Sequence, residues 1–135
     1  MENRHDIPFA HWSVKVGRIH PVTGEVKDVH GEIVTVYDDV EQAIANLVLT
    51  PKRSVPVNPE KGTDILPYID RHEEEAVPNI TREIWDAIAI WEPRAIVDRI
   101  EVVQTAFAHF TARIFWRPVQ SLADDARLLE VELAA

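Results

Sequence analysis

The sequence predicts an α+β fold, a small antiparallel β-sheet packed against two longer α-helices and one short helix. Three observations carry this: two segments repeat apolar residues at helical spacing, the stretches around 99–103 and 111–117 alternate at period two, and Pro, Gly and Asp clusters separate them. With 135 residues, 46% of them hydrophobic and four of them Trp, the chain suffices for one domain with a single core. It reads as a single domain, 1–135, with an N-terminal hairpin extension over about 10–32.

Val14, Val16 and Ile19 lie among polar residues, and Pro21-Val22-Thr23-Gly24 supplies turn chemistry before Glu25-Val26-Lys27-Asp28-Val29, which predicts a hairpin. The β-branched run Ile33-Val34-Thr35-Val36-Tyr37 predicts a third short strand. Asp38 and Glu41 then form a capping-box pattern, and Val40, Ala43, Ile44, Leu47 and Val48 make one apolar helix stripe that ends near Thr50-Pro51. Pro51, Pro56 and Pro59 make 51–63 an ordered surface loop. Residues 64–70 tolerate Pro67 in a first helical turn and predict the short helix, followed by a solvated charged turn at Arg71-His72-Glu73-Glu74-Glu75.

The second long helix is expected after Pro78, capped by Asn79 or Thr81. Ile80, Ile84, Ile88 and Trp91 form its stripe, Trp85 and Ala89 widen it, and Arg82 and Asp86 form a weak surface pair. Pro93 forces the helix to stop near Glu92, because the residue before a proline leaves the α region. Arg99–Val103 and Thr111–Arg117 predict adjacent antiparallel strands joined by a turn that contains no glycine. At 126–135 helix propensity competes with alternation of Leu129, Val131 and Leu133 against Glu130 and Glu132, and the alternation decides for a strand.

Composition narrows the chemistry. Fourteen basic against 23 acidic residues give a net charge of −9, which disfavours nucleic acid and anionic membrane and favours a basic protein surface as partner. The absence of cysteine excludes disulfides and thiolate metal sites, and the start of the chain carries no signal-peptide pattern, so a cytosol-like compartment is expected. His5, His11, His20, His30, His72 and His109 are scattered without metal-ligand spacing, so no metal and no cofactor are expected. Ser13, Ser54 and Ser121 lack a nucleophile-elbow context, and four glycines are too dispersed for a phosphate loop. Glu83 with Asp86, or Glu73 to Glu75, offer the two acids that glycoside hydrolysis needs, but 23 acids supply such pairs by chance. Core positions suit Trp85, Trp91 and Trp116, leaving Trp12 as an exposed candidate. Glu92-Pro93-Arg94 stands out: a rigid proline between an acid and a base, either an internal salt bridge or a contact for a partner.

The succession Thr50-Pro51-Lys52-Arg53-Ser54-Val55-Pro56, Pro59-Glu60-Lys61-Gly62-Thr63-Asp64-Ile65, Tyr68-Ile69-Asp70 and Trp91-Glu92-Pro93-Arg94 resembles the baseplate wedge, or sheath-initiator, family of contractile phage tails. The branch of Mu-like phages and prophages is the most similar, and the family includes the type VI secretion baseplate component TssE. The resemblance runs from roughly 30 to 117 and departs at Arg53, where a glycine is expected, and at Lys61, where an aromatic is expected. A β-carbon at Arg53 makes a positive-φ turn less comfortable.

What the resemblance implies is a structural, non-enzymatic domain in the tail baseplate of a virion, assembled in the bacterial host cytoplasm. Its implied partners are the tail sheath protein and the baseplate wedge and hub proteins, with no small-molecule substrate, nucleic acid or membrane. By position, Glu92, Pro93 and Arg94 would contact the helical core of the wedge. Strands holding Arg113, Phe115 and Arg117, and Leu129, Val131 and Leu133, would face the sheath and template its first ring by β-strand pairing. Some members have carried a lysozyme label, which implies the rival of a peptidoglycan hydrolase using paired carboxylates.

Overall fold

In the computed structural model the described residues are 12–15, 18–19, 23, 26–27, 33–35, 37–119 and 126–134. The chain divides into two compact units, residues 1–43 and 44–135, with the boundary inside the first helix.

In the first unit, β1 (Trp12–Val14) pairs antiparallel with β4 (Ile33–Thr35), and β2 (Arg18–Ile19) with β3 (Val26–Lys27). The registers are nested, Trp12 opposite Thr35 and Arg18 opposite Lys27. The predicted hairpin is therefore present as β2–β3, with Thr23 in its turn, while Val14 pairs with the third strand instead. Val16, Pro21, Val22, Gly24, Glu25, Asp28, Val29 and Val36 lie outside the described residues. Helix α1 (Tyr37–Leu49) places Asp38 and Asp39 in its first turn, where carboxylates favour the positive end of the helix dipole. The Gln42 amide donates to Ser13 Oγ (2.9 Å) and to the Val14 carbonyl (2.8 Å), fastening β1 to α1.

In the second unit, Ile44, Leu47 and Val48 of α1 are buried, as the stripe predicts, and Ala45 is buried beside them. Residues 66–70 coil through turns closed by Tyr68 N–H to the Ile65 carbonyl (2.9 Å) and Arg71 N–H to the Tyr68 carbonyl (3.1 Å), in place of the short helix expected there. Helix α2 (Glu73–Trp91) begins five residues ahead of Pro78, which lies inside it. Three glutamates in the first turn favour an early start, and the amide that Pro78 lacks would have served only the first turn, on the exposed face at Glu74. Asn79 and Thr81 consequently do not cap. Asn79 Nδ2 donates back to the Glu75 carbonyl (2.7 Å) and Thr81 Oγ1 to that of Val77 (2.7 Å). The run 71–75 is exposed as expected, but helical from Glu73.

The buried face of α2 is Ala76, Ile80, Ile84, Ala87 and Ile88. That stripe turns Trp85 outward, 42% exposed, so Trp85 is not a core residue, and Ala89 is exposed with it. Arg82 Nη2 approaches Glu83 Oε1 (3.6 Å), not Asp86.

Strands β5 (Ala95–Ala106), β6 (His109–Pro118) and β7 (Arg127–Ala134) form one antiparallel sheet in the order β5-β6-β7, with α2 packed against β5. The stretch of ambiguous propensity is thus a strand, paired in register from Trp116↔Arg127 to His109↔Ala134. Phe110, Ala112, Ile114 and Trp116 point into the core and are fully buried. A register shift between Val97 and Arg99 leaves Asp98 as an extra residue in β5, so the core-facing positions change from odd (Ala95, Val97) to even (Ile100, Val102). The glycine-free turn between β5 and β6 is Phe107-Ala108, with Ala108 at φ 56°.

Candidate docking site

The corner after α2 is built by backbone and side chain together. Glu92 closes the helix, its N–H donating to the Ile88 carbonyl (3.0 Å), and Val119 N–H donates to the Arg94 carbonyl (3.1 Å), which ties the corner to the end of β6. Across Pro93 the Arg94 guanidinium grips the Glu92 carboxylate at both oxygens, Nε to Oε1 at 2.7 Å and Nη2 to Oε2 at 3.1 Å. Two parallel charge-assisted bonds hold that planar geometry more firmly than a single point contact. Side-chain exposure is 8% for Glu92 and 32% for Arg94. Glu92 and Arg94 therefore form an internal bridge, with Pro93 exposed between them and Arg94 half-buried.

The proline-rich loop is ordered by its own backbone. Thr63 N–H donates to the Thr50 carbonyl (2.9 Å), Lys52 N–H to the Thr63 carbonyl (3.2 Å), and Thr63 Oγ1 to the Val48 carbonyl (2.8 Å). Arg53 has φ 68°, the left-handed conformation anticipated for a position that suits glycine. Glu83, on α2, holds the loop down: its Oε2 accepts from Asp64 N–H (3.1 Å) and lies 3.6 Å from Lys52 Nζ. The acid that sequence reasoning offered to a hydrolase thus serves as a clamp. Nothing in the sequence spacing of Lys52, Asp64 and Glu83 signals that role.

The predicted strand residues fall on two different faces. Arg113, Phe115 and Arg117 lie on the face of β6 away from the core, where Arg99 stacks over the Phe115 ring (4.2 Å to its centroid), Arg113 Nε lies 3.2 Å from Glu130 Oε1, and Arg117 Nε 3.3 Å from Asp98 Oδ1. Leu129, Val131 and Leu133 take the opposite face, opposite Ile114, Ala112 and Phe110, and Val131 and Leu133 are only 3% exposed. The two sets cannot form one side-chain surface, because strand parity sends them to opposite sides of the sheet. β6 is moreover the central strand, paired on both sides, whereas β7 has one paired neighbour among the described residues.

Among the described residues no group of three His, Asp or Glu side chains could hold a metal ion. His72 precedes α2 without a side-chain capping bond, and His109 opens β6. His5, His11, His20, His30, Ser121 and the side chain of Trp12 lie outside the described residues.

The family profile of baseplate wedge protein gp25 matches residues 34–115, more than half of the chain, taking in the loop, α2 and the corner. The chain belongs to the baseplate wedge protein gp25 family. Its role is structural, as a wedge component of a baseplate. No curated protein matches this gp25-family chain. Among solved structures, one named for a tail lysozyme of Geobacter sulfurreducens is similar with a TM-score of 0.62 at 18% identity, covering 73% of this chain and 89% of that one. A chain of the baseplate complex from the type VI secretion system is similar with a TM-score of 0.53 at 16% identity, covering 73% and 90%. A chain of the postcontracted pyocin R2 baseplate covers 89% and 99% at 16% identity, with a TM-score of 0.47. For the first two of these the likeness is one of fold.

Proposed function

We propose that this gp25-family protein docks on the wedge and hub proteins through its Glu92-Pro93-Arg94 corner and starts the tail sheath by pairing β7 with a strand of the first sheath ring. The observation that carries the second half is the place of β7 in the sheet: an edge strand with acidic Glu130 and Glu132, paired on one side only among the described residues. An edge of this composition stays soluble until a matching strand adds to it, and main-chain bonding then supplies affinity with little demand on side chains. Burial of Val131 and Leu133 is compatible with this role, since strand addition uses the backbone. At the corner, the internal bridge fixes Arg94 and leaves the exposed Pro93 to meet the wedge. The sites of assembly implied are the bacterial host cytoplasm and then the baseplate.

Hydrogen exchange on the complex with sheath subunits tests the pairing. Sheath addition is expected to slow exchange of β7 amides selectively. Binding that leaves β7 exchange unchanged would remove the strand-addition mechanism. The rival activity has its own assay: clearing of a peptidoglycan suspension by the wild type, abolished by Glu83→Gln, would overturn the non-enzymatic reading.

A further inference from the structure

A cavity of about 140 Å³ lies between the proline-rich loop and the second half of α2, lined by Lys52, Glu60, Gly62, Glu83, Asp86, Ala87, Ile90 and Trp91. Its apolar wall is Ala87, Ile90 and Trp91, and Ile90 is 68% exposed, an isoleucine with about two-thirds of its surface in water. The charges at the rim are not balanced. Lys52 is committed to Glu83, which also takes the Asp64 N–H and the approach of Arg82. Glu60 and Asp86 have no ion-pair partner among the described residues, at Asp86 because Arg82 turns to its sequence neighbour Glu83 instead of reaching one turn on. A metal ion does not suit the place, since its three carboxylates do not come together as a ligand group.

Apolar wall and uncompensated acid at one opening match one kind of visitor. Lysine and arginine lay their methylene stems along apolar surface and keep the charged head at a polar rim. The chain's net charge of −9 draws a basic surface toward it at long range. We infer that this groove receives a lysine or arginine side chain of a neighbouring baseplate subunit, its stem against Ile90 and Trp91 and its head between Glu60 and Asp86. This rests on the baseplate reading and adds a contact separate from β7 and from the Glu92–Arg94 bridge.

The test is charge reversal at the two rim acids, Glu60→Lys with Asp86→Lys, in the full chain. Both side chains are exposed and hold no structural bond among the described residues, so the thermal midpoint stays at the wild-type value. Binding to purified wedge subunits of the same baseplate is expected to weaken by about tenfold or more, with a flatter dependence on salt than the wild type. A folded double variant that binds within about twofold of wild type, with the same salt slope, overturns the inference and leaves the baseplate reading intact. Failure of the wild type itself to bind any of those subunits overturns both.

Discussion

Gly62→Ala is the sharpest perturbation of the loop that carries the family resemblance. Gly62 is buried at φ 113°, and a Cβ there would lie 2.1 Å from the Thr50 carbonyl oxygen and 3.0 Å from its carbon. No side chain can rotate out of the way, since the obstacle is backbone. Relief requires Thr50 to retreat, which breaks Thr63 N–H to Thr50 O (2.9 Å) and strains Lys52 N–H to Thr63 O (3.2 Å). Two such bonds contribute about 0.5–1.5 kcal/mol each, and a residue held in a sparsely allowed conformation adds about 1–3 kcal/mol. The expected loss is about 3–5 kcal/mol, a large share of the roughly 5–15 kcal/mol that holds a domain together. For a chain of 135 residues this lowers the melting temperature by about 10–20 °C. Urea unfolding of wild type and variant measures the difference directly, and amide exchange at Lys52 and Thr63 locates it. A loss under about 1 kcal/mol, with both amides still protected, would refute the close approach on which the estimate rests.

Two other positions of positive φ carry the opposite sign. Arg53→Gly and Ala108→Gly, at φ 68° and 56°, are each expected to stabilise by about 1 kcal/mol, since glycine meets no β-carbon penalty there; a drop in the urea midpoint for either would contradict the strain. Trp116→Ala removes a fully buried ring from the sheet core and is expected to cost about 3–5 kcal/mol in the same unfolding measurement, while a cost under about 1.5 kcal/mol would mean the core closes around the gap.

Period and pattern made most of the second unit legible from sequence. α1 follows its stripe but opens at Tyr37, one residue ahead of the Asp38 at which the capping box would start it, β5 and β6 follow their alternation, and at β7 the spacing of Leu129, Val131 and Leu133 outweighs helix propensity because the strand completes a buried face against β6. The errors have local causes. Pro78 reads as a helix boundary, but so near the N-terminus its missing amide concerns only the exposed first turn, and the glutamates ahead of it are good first-turn residues. Trp85 fits a widened stripe, yet the stripe advances through Ala87 and leaves it in water. At the candidate site, the corner is visible as a tripeptide, but the bidentate bridge depends on how the chain turns at Pro93, which no spacing rule gives. Strand parity could have separated Arg113, Phe115 and Arg117 from Leu129, Val131 and Leu133 only with the register in hand. The Glu83 clamp and the groove beside it join segments some twenty to thirty residues apart, beyond the reach of local pattern.

The alignment of β7 with β6 has a mechanical consequence. Eight consecutive positions, from Arg127 to Ala134, face eight on β6 without a gap. A tug applied along the strand axis loads that whole ladder in shear, so many bonds must yield at once, whereas a tug across the sheet peels them one after another. The neighbouring ladder between β6 and β5 is interrupted at Asp98 and again before Ala106, so it does not share an axial load evenly. Any subunit that pulled lengthwise on β7 would therefore be gripping an edge anchored by an unbroken ladder, and one that pulled sideways would be gripping a zipper.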